Sequence, residues 1–198
     1  MAPGKLYRKF LLTVIPAIIV GSCSLLDTRE PEQPSQSSDD FLPPTTPESV
    51  ISNLENSIAQ KNIQNYIHCF ADPSRTAHAF TFVPSAEAAA QYPSVLNLWT
   101  YAEEQSYMSN LISMAMPGGF SSLLLTPRSS VISADSVVYS YDYLLTFQHT
   151  QSGFPASARG NLQFTIGVDN SNWSIFRWSD FKTTTDITWS SFKGNFSN

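Results

Sequence analysis

Charge is scarce in this chain. Only 14% of its 198 residues are Asp, Glu, Lys or Arg, and cations are the rarer sign, 11 against 16 acids. No broad basic field exists to neutralise phosphates, which argues against nucleic-acid binding. Two cysteines are too few for a disulfide scaffold or a multi-Cys zinc site. No two of the three histidines, His68, His78 and His149, stand at i, i+4 spacing, and they are scattered along the chain. No metal and no cofactor is therefore expected. The chain has no Gly-x-Ser-x-Gly elbow, no phosphate-cradling glycine loop and no internal repeat. Its apolar runs also fall short of the ~20 residues that a bilayer crossing needs.

What it has is apolar and aromatic mass. Hydrophobic residues make up 42%, with 13 Phe, 8 Tyr and 4 Trp. That load fills the core of one ordinary domain and excludes wholesale disorder.

The N-terminus places Lys5, Arg8 and Lys9 before an 11-residue, mostly apolar run, Phe10 to Val20, followed by Gly21-Ser22-Cys23. Cations, a short apolar stretch and a small-residue site form the plan of a secretory signal peptide. Val20-Gly21-Ser22-Cys23 resembles the lipobox of bacterial lipoproteins. The resemblance implies cleavage before Cys23, lipid on its thiol and palmitate on the new amine. Several acyl chains anchor far more firmly than one. Ser24, rather than Asp, after the cysteine implies delivery to the outer membrane, facing the periplasm. Removing residues 1–22 takes away three cations and no acid, which moves the net charge from -5 to -8. Residues 23–45, rich in Ser, Pro, Asp and Glu, bury too little apolar surface to order and read as a flexible tether from Cys23. Phe41 and Leu42 are its candidates for touching the domain that follows.

Residues 46–198 read as helices followed by strands. Thr46 caps a helix with Pro47 at its first position, and Val50, Ile51, Leu54 and Ile58 repeat at helical spacing. Asn62 caps a second helix carrying Ile63, Tyr66, Ile67 and Phe70, which Asp72-Pro73 stops. A strand spans Ala79 to Val83, and a short helical turn runs from Ser85 to Ala90. A longer helix is expected from Ser94 to Ala115, ended by Pro117-Gly118-Gly119. Leu123 to Val131 is weakly patterned. Val137, Tyr139, Tyr141, Tyr143, Leu145 and Phe147 then share one strand face, Gly160 to Val168 alternates cleanly, and Trp173 to Lys182 forms the last strand. The expected class is α+β, with N-terminal helices packed on a curved antiparallel sheet.

Several of these residues, taken in order, resemble the NTF2-like (SnoaL, ketosteroid-isomerase-type) cone. They are Thr46 to Val50 with Asn53-Leu54, Tyr66 through Phe70-Ala71-Asp72, Trp99 with Glu103 or Glu104 then Leu111, Trp173 to Phe181, Thr188-Trp189-Ser190 and Lys193-Gly194. The resemblance implies an apolar-lined mouth between sheet and helices. It also implies, for enzymes of the family, an acid or His base just before a proline near the first strand. Val83-Pro84 stands there instead, and Val83 cannot move a proton. His78, five residues earlier, is the nearest titratable candidate for a general base.

The remaining candidates are pocket-lining. Tyr139, Tyr141 and Tyr143, with Trp99, offer apolar walls with polar tips. Arg177, on the last strand with Trp173, Ile175 and Phe181, is expected to be buried and paired with Glu103 or Glu104. His68 reads as a surface helix residue and His149 as the polar end of a strand. Cys69 reads as a buried small residue, since adjacent His68 points about 100° away around a helix. The expected function is a membrane-anchored, non-catalytic binding or assembly module for a small apolar ligand or partner protein, with a homodimer allowed. A cone-pocket isomerase, dehydratase or hydrolase is the alternative.

Overall fold

The computed structural model describes residues 41–184 and 186–197. Cys23, the signal-like run and most of the tether lie outside them.

Thr46 starts α1 (Pro47–Gln60) with a capping box. Its hydroxyl accepts from Ser49 N–H at 3.1 Å, and Ser49 Oγ accepts from Thr46 N–H at 3.3 Å. Lys61, in the left-handed region at φ 54°, ends the helix. Asn62 caps the short α2 (Ile63–Ile67). β1 (Thr81–Val83), α3 (Ala86–Gln91) and α4 (Pro93–Leu96) follow. The long helix expected from Ser94 to Ala115 is broken. Thr100 forms a second capping box with Glu103 and starts α5 (Tyr101–Ser113), which leaves Trp99 in the break. A cap satisfies amides that a continuous helix would need for its own ladder, so it forces a new start.

The sheet then runs through β2 (Ser121–Ile132), β3 (Ser136–Phe147), β4 (Ser157–Asp169) and β5 (Asn172–Phe181), and the chain closes with α6 (Trp189–Phe196). Strand order is β1-β5-β4-β3-β2. The four long strands pair antiparallel, as the alternation predicts, but β1 adds to β5 in parallel. The helices and the inner face of the sheet enclose the core, with Leu54, Ile58, Tyr66, Phe147, Phe164, Ile166 and Trp178 all fully buried.

β5 departs from simple alternation. It pairs with β4 from Asn161↔Phe181 to Thr165↔Arg177, then skips Phe176 and resumes at Ile166↔Ile175. One extra residue shifts every side chain beyond it to the opposite face. Ile175 and Trp178, three apart, therefore both point into the core, and Arg177 is exposed. This corrects the expected burial of Arg177 and its pairing with Glu103 or Glu104.

The chain just before α1 is fixed to the domain. Leu42 N–H donates to Asn53 Oδ1 at 2.7 Å, and Asn53 Nδ2 donates to Leu42 O at 2.8 Å. Trp173 N–H donates to Pro44 O at 2.7 Å, and the Phe41 ring meets His68 edge-on.

Candidate functional site: a buried polar cluster beneath the last helix

α6 lies between the inner sheet face and α5, and its polar groups meet two buried acids. Glu104, on α5, accepts from Tyr66 Oη at 2.6 Å, from Trp99 Nε1 at 2.7 Å and from Lys193 Nζ. Both members of the Lys193–Glu104 ion pair are 0% exposed. Asp180, on β5, accepts from Ser190 N–H at 2.7 Å, from Tyr143 Oη at 2.8 Å and from Ser190 Oγ. Tyr143 Oη in turn accepts from Trp189 N–H at 2.7 Å, and Trp189 Nε1 donates to Tyr107 Oη at 3.0 Å. The first two amides of α6, orphans in any helix, are thus satisfied by side chains of the sheet.

Aromatic rings wall the cluster. Lys193 Nζ lies 4.1 Å from the Trp178 ring centroid and 4.5–4.9 Å from those of Phe82, Trp99 and Tyr107. Desolvation outweighs the opposing charge of Glu104 and pushes the Lys193 ammonium down to about 8. Burial likewise raises the Asp180 carboxyl above the ordinary carboxylate range, against the hydrogen bonds from Ser190 and Tyr143. It also drives the Tyr66, Tyr107 and Tyr143 phenols well up. Among the described residues, Trp178 Nε1 and His149 Nδ1 are buried without a hydrogen-bond partner.

Two solved structures are similar to this chain in fold. One is an NTF2-like superfamily protein from Salmonella enterica serovar Typhimurium, 12% identical over 70% of this chain and 89% of its own, with a TM-score of 0.50. The other is a conserved protein from Planctomyces limnophilus, 10% identical over 68% of this chain and 91% of its own, with a TM-score of 0.52. The fold is NTF2-like. No protein-family model and no curated protein matches the sequence. At such identities the likeness concerns the fold, and function has to be argued from the site.

In this NTF2-like frame the cluster occupies the space between sheet and helices that the resemblance assigns to the cone mouth. A lysine amine with a lowered pKa is chemically suited to nucleophilic work where a substrate reaches it. Here Trp178, Trp189, Phe192 and Phe196 are also at most 1% exposed, and α6 itself occupies the approach.

The sequence candidates scatter around this centre. Tyr143 and Trp99 join the cluster as hydrogen-bond donors to the two acids. Tyr139 and Tyr141 line a separate surface groove of about 300 Å³ with Glu48, Pro127, Ser129 and Ser130. There the Tyr139 hydroxyl donates to Glu48 and holds that carboxyl below its usual range. His78 is exposed and stacks on Phe176 at 4.7 Å, while Asp72 pairs with Arg75 and Ser74 instead. His68 is exposed, and His149 is buried against Phe154, Phe192 and Phe196. Cys69 is buried, and burial pushes its thiol up. Cys23 lies outside the described residues.

Sequence reasoning missed Lys193, Tyr66 and Tyr107 as members of one polar cluster. The available signal was a single cation on the apolar stripe of the C-terminal helix, with Trp189, Phe192 and Phe196 at helical spacing.

Proposed function

We propose that this chain is a lipid-anchored protein of the bacterial cell envelope, tethered through Cys23 at the outer membrane and facing the periplasm. Its NTF2-like domain serves as a non-catalytic binding or assembly module. The observation that carries the non-catalytic half is the packing of α6. An enzyme of this shape needs a substrate to reach the polar groups between sheet and helices. Those groups, Glu104, Asp180, Tyr143 and Tyr107, are engaged by Lys193, Ser190 and Trp189 of the same chain. The small apolar ligand expected in the mouth meets the same obstacle. The anchored half rests on the signal-like N-terminus and the Cys23 motif.

Binding then falls to the outer surface. Phe120, just before β2, is 60% exposed, Leu124 on β2 59% and Phe181 on β5 43%, exposed apolar side chains that a partner protein or a second copy of this chain could cover. A photo-crosslinking residue placed at Leu124 in bacterial cells is expected to give one discrete adduct, whereas one at exposed Gln91 gives none. Equal, diffuse labelling at both positions would count against an assembly role for the sheet face.

A further inference from the structure

β2 is the terminal strand of the sheet, and only its first half is covered. There Ser121 Oγ donates to Ile58 O at 2.8 Å, and the Glu55 carboxylate receives the Leu125 N–H, so α1 closes the edge. From Thr126 to Ile132 every residue is exposed, with Val131 at 64% and Ile132 at 79%. Pro127 and a register shift between Pro127 and Ser129 interrupt the edge once, a common device against unwanted pairing. Beyond them Ser129 to Ile132 is a regular strand whose outer side has no neighbouring strand among the described residues.

Ser130 and Ile132 stand opposite Tyr139 and Val137, on the side of the groove of about 300 Å³ that holds Tyr139, Tyr141 and Glu48. Val131, opposite Val138, stands on the other side. An incoming strand would therefore set alternate side chains over the groove and beside Val131. We propose that the edge from Ser129 to Ile132, with this groove, docks an extended segment of a partner protein that adds as a strand and alternates apolar with basic residues.

Charge selects the occupant. Glu48 and Glu55 flank the groove, and the cation at its rim, Arg128, is held by Asp142 at 2.9 Å. A second copy would bring the same acidic wall from a chain of net charge -5. Residues 24–46 of this chain are acidic as well. Backbone pairing along the edge would supply affinity, and the acidic, aromatic groove would supply selectivity. The inference goes beyond the proposed function and holds whether or not Cys23 carries lipid.

The test is a fluorescence-anisotropy titration of the full chain with two labelled hexapeptides, one alternating Lys and Val, the other Glu and Val. The Lys peptide is expected to bind at least about tenfold more tightly. Ser130→Pro and Glu48→Lys should each weaken it by about tenfold or more, with far-UV circular dichroism unchanged. If Ser130→Pro does not fold, Val131→Lys serves as the edge variant. Hydrogen exchange should show new protection at Ser129 to Ile132 in the complex. Equal affinity for both peptides, no binding of the Lys peptide, or full affinity in the folded edge variants would overturn the proposal. So would a concentration-dependent dimer of the chain that the edge variant abolishes, since a second copy would then own the edge.

Discussion

Lys193 on α6 and Glu104 on α5, 89 residues apart in sequence, form an ion pair from which water is excluded on every side. Two charges in such a place are tolerated because each is fully engaged: Glu104 by three donors, Lys193 by the carboxylate and four aromatic rings. The pair fastens the last helix between sheet and helices, and the behaviour of that helix decides whether the domain has an accessible interior.

Removing one partner should hurt more than removing both. Lys193→Met leaves Glu104 buried and unpaired, and Glu104→Gln strands the ammonium, each at a cost of about 3–5 kcal/mol. The double variant should lose clearly less than the sum of the two, a coupling that urea-unfolding midpoints would measure. Additive losses would mean that the two side chains do not interact.

Stability should rise between about pH 8 and pH 10. The folded Lys193 titrates near 8, below the ordinary lysine value of 10.5, so in this window the unfolded chain binds more protons than the folded one. Stability then increases with pH, by at most about 3 kcal/mol. Above pH 10 the sign reverses. Tyr66, Tyr107 and Tyr143 keep their protons in the folded state after the unfolded chain has lost them. Chemical denaturation at several pH values should show the rise in wild type and its absence in Lys193→Met.

Gly160→Ala should destabilise through one contact. Gly160 pairs with Tyr143, whose ring crosses it to reach Asp180 on the next strand. A Cβ at Gly160 would stand 2.5 Å from Phe181 O and 2.8 Å from Tyr143 Oη. Displacing the phenol frees both Asp180 and Trp189 N–H from a partner. A loss of about 1–3 kcal/mol is expected, visible as a lower thermal midpoint.

The same residues show what the sequence made legible. α1 could be read from Thr46, Pro47 and the Val50–Ile58 spacing, because its cap and its apolar stripe are local. β3 and β4 could be read from alternation, since one face is buried along most of their length. β5 could not, because a bulge at Phe176 is set by pairing with β4 and leaves no mark in its own pattern. β2 looked weakly patterned for a physical reason: half of it is exposed on both faces. The break before α5 was readable and was missed, since Thr100-x-x-Glu103 is a capping box in plain view. Lys193 stood out as the one cation of α6, but its partners were not readable, because only tertiary packing brings Glu104, Tyr66 and Trp99 around it.

The two cysteines should separate cleanly by chemistry. Metabolic palmitate label is expected on the wild-type chain and absent from Cys23→Ala. Cys69, 1% exposed with its thiol pushed up by burial, should resist maleimide in the folded protein and react once unfolded. Label persisting in Cys23→Ala would refute lipid attachment at that position.

The central claim, that α6 closes the space between sheet and helices, is tested most directly by reductive methylation of the folded chain near pH 8, read by peptide mass spectrometry. Lys182, on the surface beside Glu87, is the reference. A Lys193 that the reagent could reach would regain the ordinary lysine value and be modified like any surface lysine. Burial predicts the opposite: Lys182 is modified and Lys193 is spared until the protein unfolds. Methylation of Lys193 as fast as Lys182 would mean that the interior opens, and the non-catalytic reading would fall with it.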